Sequence, residues 1–123
     1  MSKPAPGTTP LQQAACFRVD SIRRHILLCP GPNCSESPRG EAAWTYLKKR
    51  IAELNLDRAP THVFRTRCHC LRICTGGPIA VVQPDNTWYH SADPEVLERI
   101  LQEHILAGTP VQDFLFVNAP LTP

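Results

Sequence analysis

Six cysteines occur in 123 residues, and four of them fall in two close pairs. Cys29 and Cys34 frame the loop Cys-Pro-Gly-Pro-Asn-Cys, while Cys70 and Cys74 frame Cys-Leu-Arg-Ile-Cys, which runs on as Thr-Gly-Gly-Pro. Each pair adjoins a short apolar run with the pattern of a strand. Four thiolates drawn together by a fold make a soft, anionic cage that suits an iron–sulfur cluster or zinc. Cys68, two residues before Cys70, could be an alternative ligand or a thiol that exchanges with Cys70; a spare loop thiol is the simpler reading. Imidazole ligates some cluster types, so His69 could replace a cysteine, but four thiols already make a full set. Cys16, far from both pairs in sequence, reads as structural or incidental.

Two loops meet only if a sheet brings them to one edge. His25-Ile26-Leu27-Leu28 reads as a buried strand that runs into Cys29-Pro30-Gly31-Pro32. Ser37-Pro38 has the pattern of an N-cap followed by proline, and Trp44, Leu47, Ile51 and Leu54 recur at helical spacing, which predicts an amphipathic helix over 38–55. Lys48, Lys49 and Arg50 are expected to be a solvated end of that helix, where cations favour the dipole. His62–Arg65 is a second strand and Ile79–Val82 a third, buried on both faces. The turn Pro84-Asp85-Asn86 joins the third to a fourth, Thr87–His90, as a hairpin. Asp93-Pro94 starts a second helix striped by Val96, Leu97, Ile100, Leu101 and Ile105 and ended by Gly108 and Pro110. Val111–Val117 is expected as an extended arm.

Strand, helix, strand is a right-handed crossover with parallel strands. The ends of its two strands share one edge, which puts the Cys29–Cys34 loop beside the Cys70–Cys74 loop. The whole order predicts an α/β fold, a thioredoxin-like sandwich with a small central mixed sheet flanked by two helices. Gly76 and Gly77 would let backbone approach a bulky inorganic core and offer N–H groups to sulfur. A helix starting just after Cys34 would turn its positive end toward an anionic site.

Composition narrows the classes. Apolar content of 42% and charged content of 20% are ordinary for one globular domain. The net charge of +2, without clustering, argues against a nucleic-acid partner. No apolar run has membrane-spanning length, and the first residues lack the apolar core of a secretory signal, so the expected compartment is the cytoplasm. There, spaced cysteines serve as ligands or redox groups rather than as disulfides. Residues 1–21, broken by Pro4, Pro6, Gly7 and Pro10, read as a flexible tail in which Leu11–Arg18 could make a turn or two of helix. The folded domain is expected over 22–117, and 118–123 as a C-terminal tail.

From His25 to Val117, about three-quarters of its length, the chain resembles the thioredoxin-like [2Fe-2S] ferredoxins, also called Shethna-type. The matching stretches are His-Ile-Leu-Leu-Cys at 25–29, Ala-Trp-Thr-Tyr-Leu-Lys-Lys-Arg at 43–50, Cys-Leu-Arg-Ile-Cys-Thr-Gly-Gly-Pro-Ile-Ala-Val-Val at 70–82, Asp-Asn-Thr-Trp-Tyr at 85–89 and Gly-Thr-Pro-Val at 108–111. By that resemblance Cys29, Cys34, Cys70 and Cys74 would each ligate a [2Fe-2S] cluster, and the protein would carry one electron between protein partners. The family's first pair is usually further apart; here only four residues separate Cys29 from Cys34.

The residues themselves leave two other functions open: a structural zinc protein, since four thiolates suit tetrahedral zinc, and a thiol–disulfide protein, which the fold class permits. Against the latter, no Cys-x-x-Cys ends the first strand. No phosphate loop, Ser-His-Asp set or paired carboxylates mark an enzyme. The expected partners are redox proteins, with neither nucleic acid nor membrane, and an exposed sheet edge could support a homodimer. Arg65, Arg67 and Arg72 could tune the site or dock an acidic partner, or be plain solvent charge. Trp44 is read as core, Trp88 and Tyr89 as hairpin packing, and His25, His62, His90 and His104 as strand-end or surface residues.

Overall fold

The computed structural model describes residues 8–120. The breaks expected at Pro4, Pro6 and Gly7, and the end of the C-terminal tail, lie outside the described residues. Helix α1 spans Pro10–Phe17. Pro10 does not break it but opens it, at the first helical position where a missing N–H costs nothing. Thr9 and Gln12 close a reciprocal capping box, with each side chain bonded to the other's backbone N–H.

Strand β1, Arg24–Cys29, is followed by helix α2, Ser37–Glu53, and strand β2, Val63–Arg67. β1 and β2 pair in parallel with Leu28 opposite Arg67, as a crossover requires. Strand β3, Ile79–Gln83, lies antiparallel on the other side of β1, with Cys29 opposite Ile79. Strand β4, Thr87–Tyr89, forms the hairpin with β3. The segment expected as an extended arm adds a fifth strand, β5, Leu115–Asn118, paired with β4 through a bulge between Trp88 and Tyr89. The mixed sheet runs β2-β1-β3-β4-β5.

Helix α3, Pro94–Arg99, continues as a π-helical segment, Ile100–Leu106. Ala43, Leu47 and Ile51 of α2 share one core with Val96, Leu97, Ile100 and Leu101 and with Ile26, Leu28, Ala80 and Val82 of the sheet. Both helices therefore cover the same sheet face, and the alternation of strand side chains sends Cys29 and Ile79 away from that core into a second cluster.

Several local expectations need correction. Neither Ser37 nor Asp93 makes a side-chain cap. α2 is preceded by Glu36, Ser37 is already helical, and Pro38 in the first turn lacks the N–H that a cap would bond. Asp93 does stand at the cap position of α3, but its carboxylate is taken by Arg39 at 2.6 and 2.7 Å. Arg50 is not simply solvated: it bonds Glu98 of α3 at 2.7 and 3.0 Å. Trp44 is half-buried at the core margin, with Arg65 and Lys48 over its ring at 5.4 and 5.7 Å.

The histidines depart furthest from expectation. His104 is 1% exposed. Its Nε2 donates to Asp85 at 2.6 Å, and its Nδ1 meets the Tyr89 hydroxyl at 2.8 Å. That tautomer follows from the network, because Asp85 accepts and Tyr89 already accepts the Val111 N–H at 3.0 Å. Arg24 completes the chain on Asp85 at 3.1 Å. His62 is also buried and bonds the Phe17 carbonyl, tying the end of α1 to the start of β2.

Candidate metal centre

β1 delivers Cys29 at its last position, and the chain then turns through Pro30 and Gly31 so that Cys34 comes back beneath it. The turn needs glycine: Gly31 has φ +110°, and a side chain there would strike the Ser35 carbonyl. Ser35 Oγ donates to the Pro30 carbonyl at 3.2 Å. Gly40, in the first turn of α2, packs so tightly on Pro30 that a Cβ would overlap its carbonyl, so the helix start is pressed against the loop. The two sulfurs end 3.4 Å apart, and Cys34 Sγ donates to the Cys29 carbonyl at 3.3 Å. Both side chains are buried with Ile79, and Cys68, Leu71, Ile73 and Trp88 pack against them. Burial pushes the Cys34 thiol up, to about 11, and the adjacent Cys29 adds to the shift. Cys68 is raised for the same reasons, burial first and Cys29 second.

The second cysteine loop meets the first through its glycines. Gly77 N donates to the Cys34 carbonyl at 2.8 Å, and a Cβ on Gly77 would lie 2.6 Å from Cys34 Sγ. Gly76 has φ +72°, and its carbonyl accepts from Ser91 N at 2.7 Å. Ala92 N bonds the Pro78 carbonyl at 2.8 Å, so the exit of the loop is held by the link between β4 and α3. The entrance is held by the sheet: Cys68 N donates to the Leu28 carbonyl at 3.0 Å, closing the last β1–β2 register pair.

Between these anchors the loop is open. Cys70 and Cys74 are both exposed, and Arg72, at φ 71°, donates its N–H to Cys70 Sγ at 3.2 Å. The fold thus brings Cys29 and Cys34 together and sets the second loop beside them, whereas the Cys70 and Cys74 thiols remain apart from that pair. Among the described residues no three Cys, His, Asp or Glu side chains are gathered closely enough to hold one ion. All six cysteines are free thiols. His69 is exposed and its carbonyl lies 4.0 Å from Cys29 Sγ. A shallow cleft lined by Pro30, Gly31, Arg67, Cys68 and His69 opens between the loops.

The donor set and its surroundings fit a bulky thiophilic group. Cys29 and Cys34 bring two soft sulfurs together, the loop that carries Cys70 and Cys74 adjoins them, and Gly77 leaves bare backbone where a side chain would collide with Cys34 Sγ. Of the flanking arginines, Arg67 is paired with Glu41 at 2.5 and 2.6 Å and Arg65 lies on Trp44, while the Arg72 side chain has no partner among the described residues. Sequence reasoning did not anticipate that Trp88 packs against the cluster of Cys29, Cys34 and Ile79: strand alternation gives its face only once the β3–β4 register is known. The set formed by buried Tyr89 and His104 with half-buried Asp85 was equally invisible, since its members are spread over 20 residues and carry no spacing motif.

Comparison with known proteins gives consistent relatives. A 2Fe-2S ferredoxin of Priestia megaterium is 33% identical over 99 residues, covering 80% of this chain and 74% of its own. A ferredoxin of Aquifex aeolicus, also named 2Fe-2S, is 28% identical over 97 residues, with 72% and 85% covered. No family model matches the chain. Among solved structures, a thioredoxin-like [2Fe-2S] ferredoxin from Aquifex aeolicus superposes with a TM-score of 0.68 at 20% identity, over 81% of this chain and 96% of that one. A second structure of that name gives 0.65 at 23% identity, over 79% and 99%.

Proposed function

The chain belongs to the thioredoxin-like [2Fe-2S] ferredoxin family, and on that premise we propose that Cys29, Cys34, Cys70 and Cys74 hold the cluster of this small electron carrier. When bound, the cluster supplies one-electron redox chemistry. The observation that carries the reading is the junction of the two loops, where Gly77 donates to the Cys34 carbonyl and lies bare against Cys34 Sγ. Cys29 and Cys34 form the buried half of the ligand set. Cys70 and Cys74, on the open stretch between anchored loop ends, form the half that draws inward.

The other residues act on access and on charge. Ile79, Trp88, Leu71 and Ile73 pack around the buried thiols and keep water from that side. Arg72, exposed beside Cys70, offers positive charge at the open side, where an acidic partner surface would approach. The protein passes electrons between partner proteins and turns over no substrate of its own. It acts in the cytoplasm, where free thiols persist. No helix among the described residues is long and apolar enough to cross a membrane. The cluster domain spans 22–117, and two copies associate through an exposed sheet edge.

Anaerobic purification tests the central claim. The protein should be red-brown, contain iron and acid-labile sulfide in equal amounts, and give an electron paramagnetic resonance signal only after reduction. A colourless preparation with zinc alone would make this a structural zinc protein.

A further inference from the structure

Cys68 is placed by the sheet, not by the loop. The β1–β2 register ends with Leu28 opposite Arg67, and the Cys68 N–H closes that last pair by donating to the Leu28 carbonyl at 3.0 Å, so that Cys29 and Cys68 leave it side by side. Cys68 is thereby the lateral neighbour of Cys29. Paired residues of adjacent strands point to one face of a sheet, with backbones about 4.8 Å apart. Accordingly the Cys68 side chain is half-buried and packs against the cluster formed by Cys29, Cys34 and Ile79. Cys70 has no such anchor in the sheet: it is exposed, and among the described residues its sulfur accepts only from the Arg72 N–H. Only His69 separates the two cysteines, a distance of about 7 Å along an extended chain.

We propose that Cys68 is a reserve ligand, whose thiolate takes the iron position that Cys70 vacates when Cys70 is lost or blocked. The exchange is a substitution at iron with no change of oxidation state. The Fe–Sγ bond to Cys70 breaks and an Fe–Sγ bond to Cys68 forms. Cys68 releases its thiol proton to solvent, and a displaced Cys70 thiolate takes one up. The shift needs only a local swing of residues 69 and 70, because Cys68 already borders the buried half of the site. Cys16 lies outside this arrangement, and Cys74, six residues further along the open loop, has no comparable neighbour.

The proposal rests on the cluster reading, and one set of anaerobically purified proteins separates the two. Wild type, Cys68→Ala, Cys70→Ala, the double variant Cys68→Ala/Cys70→Ala and Cys74→Ala are compared by iron and sulfide content, visible absorption and resonance Raman spectra, with far-ultraviolet circular dichroism reporting the fold. Cys68→Ala should match wild type. Cys70→Ala should keep an all-thiolate cluster at better than half occupancy, whereas the double variant and Cys74→Ala lose it at least five-fold or show oxygen ligation. Cys70→Ser should likewise retain sulfur-only Fe–S modes, despite its available hydroxyl. If Cys70→Ala and the double variant coincide, or if Cys68→Ala alone loses the cluster, the reserve role is overturned while the ferredoxin reading stands. A wild type that holds only zinc would overturn both.

Discussion

At Gly77 a methyl group has nowhere to go. Its Cβ would stand 2.6 Å from Cys34 Sγ and 2.7 Å from the Cys34 carbonyl, which is fixed by accepting the Gly77 N–H. Gly77→Ala should therefore lower bound iron and sulfide several-fold in anaerobic preparations, by prying the two loops apart. Gly76→Ala is the informative contrast. Its Cβ would sit 3.8 Å from His90, so space is adequate, but its φ of +72° penalises a side chain by about 1 kcal/mol. That variant should lose thermal stability and keep its cluster content. Equal cluster loss in both would mean that loop strain, not contact with Cys34, governs the site.

Between elements, the charged contacts of α2 and α3 are concentrated on Glu98. Its carboxylate accepts from Arg50 at 2.7 and 3.0 Å, from the Tyr46 hydroxyl at 2.7 Å and from Gln102 at 2.8 Å. Arg50 chiefly holds the Glu98 pKa down, to about 2. A depressed carboxylate pKa stabilises the fold above the ordinary value of 4.5, and that contribution fades as pH falls from there through 2. The groups are partly exposed, so solvent screening limits the contribution to about 1 kcal/mol. Glu98→Gln should lower the urea midpoint accordingly at pH 7, with the gap to wild type closing below pH 4.5. A gap that persisted unchanged at low pH would show that the charge of Glu98 is not what joins the helices.

For the molecule as a whole, the two sheet edges are unlike. β2 carries Arg65 and Arg67, and charged edge residues discourage strand addition. β5 is short and presents Phe116 and Val117, 40% and 38% exposed. Association of two copies should thus use the β5 edge. Sedimentation equilibrium should find a dimer for wild type and a monomer for Phe116→Lys/Val117→Lys, with iron and sulfide content unchanged. A monomeric wild type would remove the dimer without touching the cluster. The resulting picture is a sheet with helices on one face and cysteine loops at one end.

Much of this was legible without coordinates, because it depends on local pattern. Short continuous apolar runs at 25–28 and 79–82, bounded by turn residues, and helical stripes from Leu47 and Val96 decide their elements through backbone geometry. The crossover rule then puts both cysteine loops at one edge, and Cys70-Leu-Arg-Ile-Cys-Thr-Gly-Gly-Pro carries the family likeness in nine consecutive residues. What sequence could not supply is contact between residues with no fixed spacing. The burial of His104 with Asp85 and Tyr89 depends on how α3 lies over the hairpin. Likewise, Cys68 is a loose loop thiol in the sequence. It becomes a neighbour of Cys29 only because both cysteines directly follow the last parallel pair of β1 and β2, Leu28 with Arg67, which the Cys68 N–H closes. Residue types and spacing determined which sulfurs were available; the sheet register, a long-range property, decided which of them stand beside one another.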